Sequence, residues 1–464
     1  MTIENVRLLT KGVKSMFDIN EKIIEGKWYL HFEDGTNEIA YGEIDIDEYI
    51  LSVLCDINII NKIQNKVFYV TGETKNYNIT LYKCYYKSIN RGKENYINLK
   101  IAYNQALIEG QLLNDSEQKF DGIVFKLSCF DSMMVIDDEE LTEEISRYGN
   151  LSFSCAVDSD GKREIKCTVD FNKPISIQES LDILYELRCF FVFLYCNRVN
   201  IIYNHLKIKN NSSSTNIITL LHRTSSDKKI PNYEYEILPR IGENLLKKWS
   251  DIFLRFEEQI RVVFEILTYD DFDSARGLVT CIHAIEGFFR IIVKENKNLQ
   301  STNFEKKYFK SICNDILRYI DSLEINDDIK LNIKNSISHT NEVNLKDKIT
   351  QLLESYLDEQ LSSHFIILPR SEKVTALNEY ISTIVNIRNY YAHLDQSNVK
   401  KGIMNIINDY MEIYNYKVSV FAFLYILIAK EYFKDDRYLA HRLSRNPHFP
   451  FSQSFYENRL KPNL

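Results

Sequence analysis

VTALNEYISTIVNIRNYYAHL, residues 374–394, decides how the C-terminal half of this 464-residue chain is read. Leu377, Ile381, Ile384, Arg388 and Tyr391 recur at intervals of 4, 3, 4 and 3, the rhythm of an α-helix with one buried stripe. That rhythm places Arg388 on the apolar seam, where leucine or isoleucine would pack better. Ser382, Asn386, Asn389 and His393 repeat at 4, 3 and 4 on an adjoining strip, so Asn389 and His393 lie one turn apart. A guanidinium on such a seam without a partner costs several kcal/mol. The spacing therefore predicts that the bundle opens at Arg388 onto a cleft, a partner chain or an anion.

Working outward from this helix, the strand signal is absent beyond about Glu243. WSDIFLRFEEQIRVVFEIL (249–267), RGLVTCIHAIEGFFRIIVKE (276–295), KKYFKSICNDILRYIDSL (306–323), LKDKITQLLESYL (345–357) and NIINDYMEIYNYKVSVFAFLYILIAKEYF (405–433) carry helical periodicity. With residues 374–394 they predict five or six amphipathic helices, an all-α bundle over 243–435. Toward the N-terminus the period changes to two. KWYLHF (27–32), EIAYGEIDI (38–46), KVFYVTGET (66–74), YNITLYKCYY (77–86) and GIVFKLSCF (122–130) alternate apolar and polar between Gly, Asn and Asp breaks, which predicts a sandwich-like antiparallel sheet. NLSFSCAVDSDGKREIKCTVDF (150–171) reads as one more hairpin with DSDG at its turn. Ser176 and Glu179 form a capping-box signature and start a helix. The expected fold class is thus α+β and multidomain: a β-rich domain over 1–205 ending in a helix, a linker over 206–242 centred on the polar stretch KIKNNSSSTN (207–216), the helical bundle, and a basic, aromatic tail over 436–464.

Composition narrows the function. With 45% hydrophobic, 12% aromatic and 26% charged residues the chain has the profile of an ordered globular protein. Its formal charge of -8 gives no global basic field to gather nucleic acid, so any such contact is local. Nine cysteines without a CxxC pair argue against a zinc site and fit reduced thiols, and so a cytoplasmic location. MTIENVRLLTKGVKSMF lacks a signal-peptide apolar core. The runs CFFVFLYC (189–196) and VSVFAFLYILIA (418–429) fall short of the roughly 18–20 residues that span a bilayer and read as core helices. Nucleotide-binding glycine loops, HExxH and GxSxG are absent from the sequence, which leaves NTP hydrolysis, dinucleotide binding, zinc peptidase and serine hydrolase chemistry without support.

RNYYAH (388–393) resembles the R-polar-x-x-x-H motif of the HEPN superfamily of helical bundles, many of them RNA-cleaving. The chain as a whole resembles the ApeA-type family, in which a β-rich N-terminal domain precedes a C-terminal HEPN domain. EGKWYLHF (25–32) and AYGEIDI (40–46) look like that family's first strands, and HAIEGFFR (283–290) like its early HEPN helix. The resemblance implies an endoribonuclease of anti-phage defence that needs no metal or other cofactor. It assigns His393 as general acid/base, Arg388 as the cation on the phosphate and Asn389 as a polar orienter. Those residue types suit metal-free RNA cleavage, since histidine titrates near neutrality and arginine, always charged, grips phosphate oxygens with two prongs. The implied products are a 2',3'-cyclic phosphate and a 5'-hydroxyl, and the implied substrate is RNA, with transfer RNA favoured. The implied partners are a second copy sharing a composite site and a phage-derived trigger, for which a protein is preferred. A non-catalytic HEPN module that binds nucleotide or RNA, or only dimerises, is the alternative.

Further residues join the candidate site. His283, Glu286 and Arg290 form a polar line opposite Leu278, Ile282, Ile285 and Phe289; Glu286 either holds Arg388 by a charge-assisted bond or belongs to a solvated face. Tyr390 is placed to stack on an unpaired base, whereas Tyr391 shares the packed seam. In the tail, Arg437, Arg442 and Arg445, with His441 and His448, either grip an RNA strand or clasp a partner subunit.

Overall fold

In the computed structural model, residues 1–22, 109–118, 130–140, 223–244, 358–372, 394–400 and 434–464 lie outside the described residues, as do loop segments of one to seven residues; the rest of 23–433 is described. The chain divides into two units, residues 1–188 with 199–247 and residues 189–198 with 248–464.

The period-two alternation of the first unit is realised as antiparallel strands that curl. They are β1 (Ile23–His31), β2 (Asn37–Asp45), β3 (Ile50–Asp56), β4 (Phe68–Thr74), β5 (Asn78–Arg91) and β6 (Tyr96–Ala102). The order is β4-β1-β2-β3-β6-β5, and β4 pairs with β5 as well as with β1. Six strands therefore close into a ring, which removes the sheet edges that an open sandwich leaves exposed. Every second side chain points inward, so Trp28, Leu30, Ile44, Leu51, Val53, Leu81, Leu99 and Ile101 make one core. Trp28 is fully buried and donates from Nε1 to the Gly42 carbonyl at 3.1 Å. Its ring needs the space left by Gly72, since a Cβ there would stand 2.2 Å from the indole.

The sheet continues from the barrel through β7 (Gln105–Ile108), β13 (Thr215–His222), β12 (Ile201–Lys209), β8 (Phe120–Leu127), β11 (Arg163–Ile175), β10 (Gly149–Val157) and β9 (Leu141–Ile145). The expected 150–171 hairpin is present as β10 and β11, with Gly149 opposite Phe171; its DSDG turn lies outside the described residues. The linker reading of 206–242 is corrected over 206–209 and 215–222, which form the β12–β13 hairpin. Polar composition hid it, because these residues are not solvated loop. Lys207 runs past Gly122 of the intervening β8 to reach Asp170 Oδ1 on β11 at 2.6 Å. Helix α1 (Ile177–Tyr195) follows β11 and starts as its sequence dictates. Ser176 N–H donates to Glu179 at 2.8 Å while Glu179 N–H donates to Ser176 Oγ at 3.2 Å, the reciprocal bonds of a capping box. The boundary between the two units falls inside α1.

The second unit is helical. Among the described residues of 245–433 there are nine helices: α2 (Leu245–Arg255), α3 (Glu257–Thr268), α4 (Ser274–Glu295), α5 (Lys306–Ser322), α6 (Asp327–His339), α7 (Leu345–Tyr356), α8 (Lys373–His393), α9 (Lys401–Asn408) and α10 (Tyr410–Phe433). Nine exceeds the expected five or six because the runs 249–267 and 405–433 each divide between two helices and α6 adds one outside the expected runs. Asp409 accepts from Met411 and Glu412 N–H at 2.8 and 3.2 Å and separates α9 from α10, Asn326 caps α6, and Asn344 caps α7. α4 and α10 form the central pair, with α3, α7, α8 and α9 packed around them. α10 is long and apolar enough, by length and composition, to cross a membrane, yet Val420 to Ala429 are buried in this bundle. The aromatic rings of Phe190, Phe193, Trp249 and Tyr432 cluster at 5.2 to 6.4 Å between centroids, an edge-rich arrangement that suits their quadrupoles. Among the described residues Cys55, Cys84, Cys129, Cys167, Cys189, Cys196, Cys281 and Cys313 are buried.

Candidate active site

α8 buries Ile381, Ile384 and Ile387, so the centre of its apolar stripe passes through Ile387 and not through Arg388. One residue is a turn of about 100° around a helix. Arg388 therefore stands at the rim of the seam, its side chain 24% exposed. α4 presents the facing rim: Leu278, Ile282, Ile285 and Phe289 are buried, His283 and Arg290 are exposed, and Glu286 lies between the two environments.

The two rims meet through charge. Arg388 Nη2 lies 3.9 Å from Glu286 Oε2, and Lys348 of α7 donates from Nζ to Glu286 Oε1 at 2.9 Å. Arg388 Nη1 also donates to Asn389 Oδ1 at 3.2 Å. Arg388 Nε is buried and meets no acceptor among the described residues. Burial by itself would raise the Glu286 carboxyl, but the Lys348 hydrogen bond and the charges of Lys348, Arg290 and Arg388 outweigh it and hold the group below its ordinary range. One carboxylate thus faces three cations, and the local balance is positive. Such a balance in a partly desolvated rim attracts an anion.

The remaining predicted residues fall as follows. Asn389 is exposed beside Arg388; Tyr390 is half-buried and meets Tyr391 edge to face at 5.1 Å and 78°. His393 is the last residue of α8, and its side chain lies outside the described residues, as do Arg437, Arg442 and Arg445. The structure brings together Arg388, Asn389 and Glu286. It adds Lys348, which the sequence does not single out. Lys348 follows the Asn344 cap as an ordinary charged residue of an amphipathic helix, and only the packing of α7 on α4 aims it at Glu286.

A second cluster contrasts with the first. Arg255 grips Glu295 with Nε, at 2.9 Å, and with Nη2, and donates from Nη1 to Glu431 at 2.6 Å; Tyr356 donates to the other Glu431 oxygen at 2.7 Å. Here two carboxylates answer one guanidinium. Burial would lower the Arg255 pKa, but its bonds to Glu295 and Glu431 raise it, and burial with the Glu431 bond pushes the Tyr356 hydroxyl up. Carboxylates outnumber the cation here, and the cluster ties the ends of α2, α4, α7 and α10 together.

Residues 279–430 match the model of the Apea-like HEPN family. The helical C-terminal region thus matches an Apea-like HEPN domain over about a third of the chain. The matched stretch runs from within α4 to near the end of α10 and contains Glu286, Lys348 and the Arg388–His393 string. Arg255 of the second cluster precedes it, and the β-rich unit lies N-terminal to it. No curated protein and no solved structure matches the chain.

Proposed function

We propose that this chain is a HEPN endoribonuclease of abortive-infection anti-phage defence, cutting transfer RNA or other single-stranded RNA loops without a metal. The observation that carries the reading is the surplus of positive charge at Arg388: Lys348 and Arg388 converge on one carboxylate, and Arg388 keeps one N–H donor without an acceptor among the described residues. A phosphodiester offers that donor an anionic oxygen and neutralises the surplus. Arg388 then stabilises the crowded phosphorane, Asn389 and Glu286 position the guanidinium, and Lys348 positions Glu286. His393 takes the proton of the attacking 2'-hydroxyl or protonates the leaving 5'-oxygen. A single-stranded loop gives the 2'-hydroxyl freedom for in-line attack, which yields a 2',3'-cyclic phosphate and a 5'-hydroxyl. One histidine serves one proton transfer at a time, so two chains supply a composite site in a cytoplasmic homodimer. Arg437, Arg442 and Arg445 grip the RNA backbone, and a phage component releases a restraint imposed by the β-rich unit.

The Arg388–Glu286 contact also favours a second reading, a non-catalytic HEPN scaffold in which the pair is structural. Comparing wild type, Arg388→Ala and His393→Ala for RNA integrity and growth arrest during phage challenge, with cleavage assayed in EDTA, separates the two. The nuclease reading expects both substitutions to abolish cleavage and protection. Undiminished protection by the substituted chains refutes it and supports the scaffold.

A further inference from the structure

Beyond Glu286 the rim of α4 carries two more cations. Arg290 and Lys294 follow Glu286 at intervals of four, so the line turns about 40° per step from the packed rim toward solvent, and both residues are exposed. From Glu286 to Lys294 the line spans about 12 Å along the helix axis.

An exposed helical cation is ordinarily answered by a carboxylate one turn away, as Arg261 is by Glu257 on α3. Here the carboxylates within reach are already engaged. Glu286, one turn before Arg290, accepts from Lys348 at 2.9 Å and faces Arg388 at 3.9 Å. Glu295, the residue after Lys294, is held by two nitrogens of Arg255. Arg290 and Lys294 make no ion pair among the described residues, and like charges one turn apart repel. The helix dipole accounts for Lys294, which stands in the last turn, but not for Arg290, more than a turn before the end. Two like charges kept side by side, next to a rim whose balance is already positive, suit a ligand that carries negative charges in a row. In a chain with a formal charge of -8 this strip is a local exception.

We infer that Arg290 and Lys294 form a cation track along α4 that binds the backbone of single-stranded RNA flanking the phosphodiester at Arg388. The identity of the ligand rests on the nuclease reading above, whereas the track rests on the arrangement of charge. Its two cations lie one and two turns beyond Glu286, so they meet phosphates next to the scissile one and contribute to binding, not to breaking the bond. Contacts to phosphates carry no sequence information, so the track holds any single strand alike.

Fluorescence anisotropy of the full chain with a labelled 2'-O-methyl RNA oligonucleotide, over a series of salt concentrations, tests the inference. The probe lacks the attacking hydroxyl, so it is bound without being cut. Arg290→Gln with Lys294→Gln weakens binding about tenfold at low salt and reduces the slope of log affinity against log salt by about 1.4, two contacts at about 0.7 each for a single strand. Arg290→Lys with Lys294→Arg keeps both charges and retains the wild-type slope. Lys307→Gln with Lys310→Gln, the same loss of charge at exposed positions of α5, also leaves the slope unchanged. Binding that depends on Arg290 and Lys294 in a chain that cuts no RNA refutes the nuclease reading and leaves the track standing. Cleavage by a chain whose salt slope is untouched by the Arg290 and Lys294 substitutions overturns the track and leaves the nuclease reading standing. A wild type that binds no probe, or an equal loss in the α5 variant, overturns the track as well.

Discussion

Replacing Glu286 by glutamine removes one charge and keeps the side-chain shape, so its consequences follow from the geometry around Arg388. Lys348 loses a charge-assisted bond at 2.9 Å, the class of interaction that contributes about 1.5–3 kcal/mol. Arg388, 3.9 Å away, loses a Coulomb attraction of about 4 kcal/mol gross at an effective dielectric constant near 20. Against these stands the relief of a desolvated carboxylate, itself several kcal/mol. The balance leaves Glu286→Gln about 2 kcal/mol less stable, a fall in melting temperature of about 4–8 °C for a helical region of this size. The pH dependence supplies the sharper test. The folded-state pKa of Glu286 lies below its ordinary 4.5, so its contribution is complete above that value and disappears as pH falls through the lower folded value. Differential scanning fluorimetry of both proteins from neutral to acid pH therefore shows a gap at pH 7 that narrows below 4.5. A gap of the same size at both ends of the range, or none at neutral pH, refutes the role of Glu286 as a carboxylate held by cations.

Three other perturbations probe the rest of the chain. Gly72→Ala drives a methyl group into the Trp28 ring and destabilises the barrel by at least about 2 kcal/mol, read as a shift of the tryptophan-fluorescence midpoint in urea. Glu431→Gln takes the shared carboxylate from Arg255 and Tyr356 and costs about 1–3 kcal/mol, whereas Tyr356→Phe costs about 1 kcal/mol; chemical denaturation followed by helical circular dichroism ranks the two. Burial, with Lys166 adding to it, pushes the His205 imidazole from 6.5 down to about 4. The unfolded chain then binds the proton more readily, so stability from this group is complete above about pH 6.5 and falls by about 3 kcal/mol as pH drops toward 4; His205→Gln flattens that part of the profile in equilibrium unfolding.

The features legible in the sequence are those set by neighbours in the chain. The Ser176–Glu179 box starts α1 where its residue types require, and the alternation around Trp28 gives the inward and outward faces of each strand without tertiary information. Closure of the barrel is different in kind. β4 must find β1 some forty residues earlier while also pairing with β5, and alternation states only which side of a strand is apolar, so an open sandwich and a ring share one pattern. The β12–β13 hairpin escaped for a related reason: a lysine-rich, asparagine-rich stretch reads as solvated until Asp170, which β11 brings across Gly122, gives Lys207 a partner.

At the candidate site the same limit acts over a single residue. Periodicity brings Arg388 to the apolar seam, but packing decides whether the stripe is centred on position 387 or 388, and that offset separates a sealed guanidinium from one at a rim open to an anion. Lys348 contributes as much to the local charge as Arg388, yet its role exists only because α7 docks on α4. The motif names the groups that can do chemistry. The cations around Glu286 belong to three helices together, which is why substitutions at Glu286 and Lys348 should change the setting of Arg388 without touching the RNYYAH string.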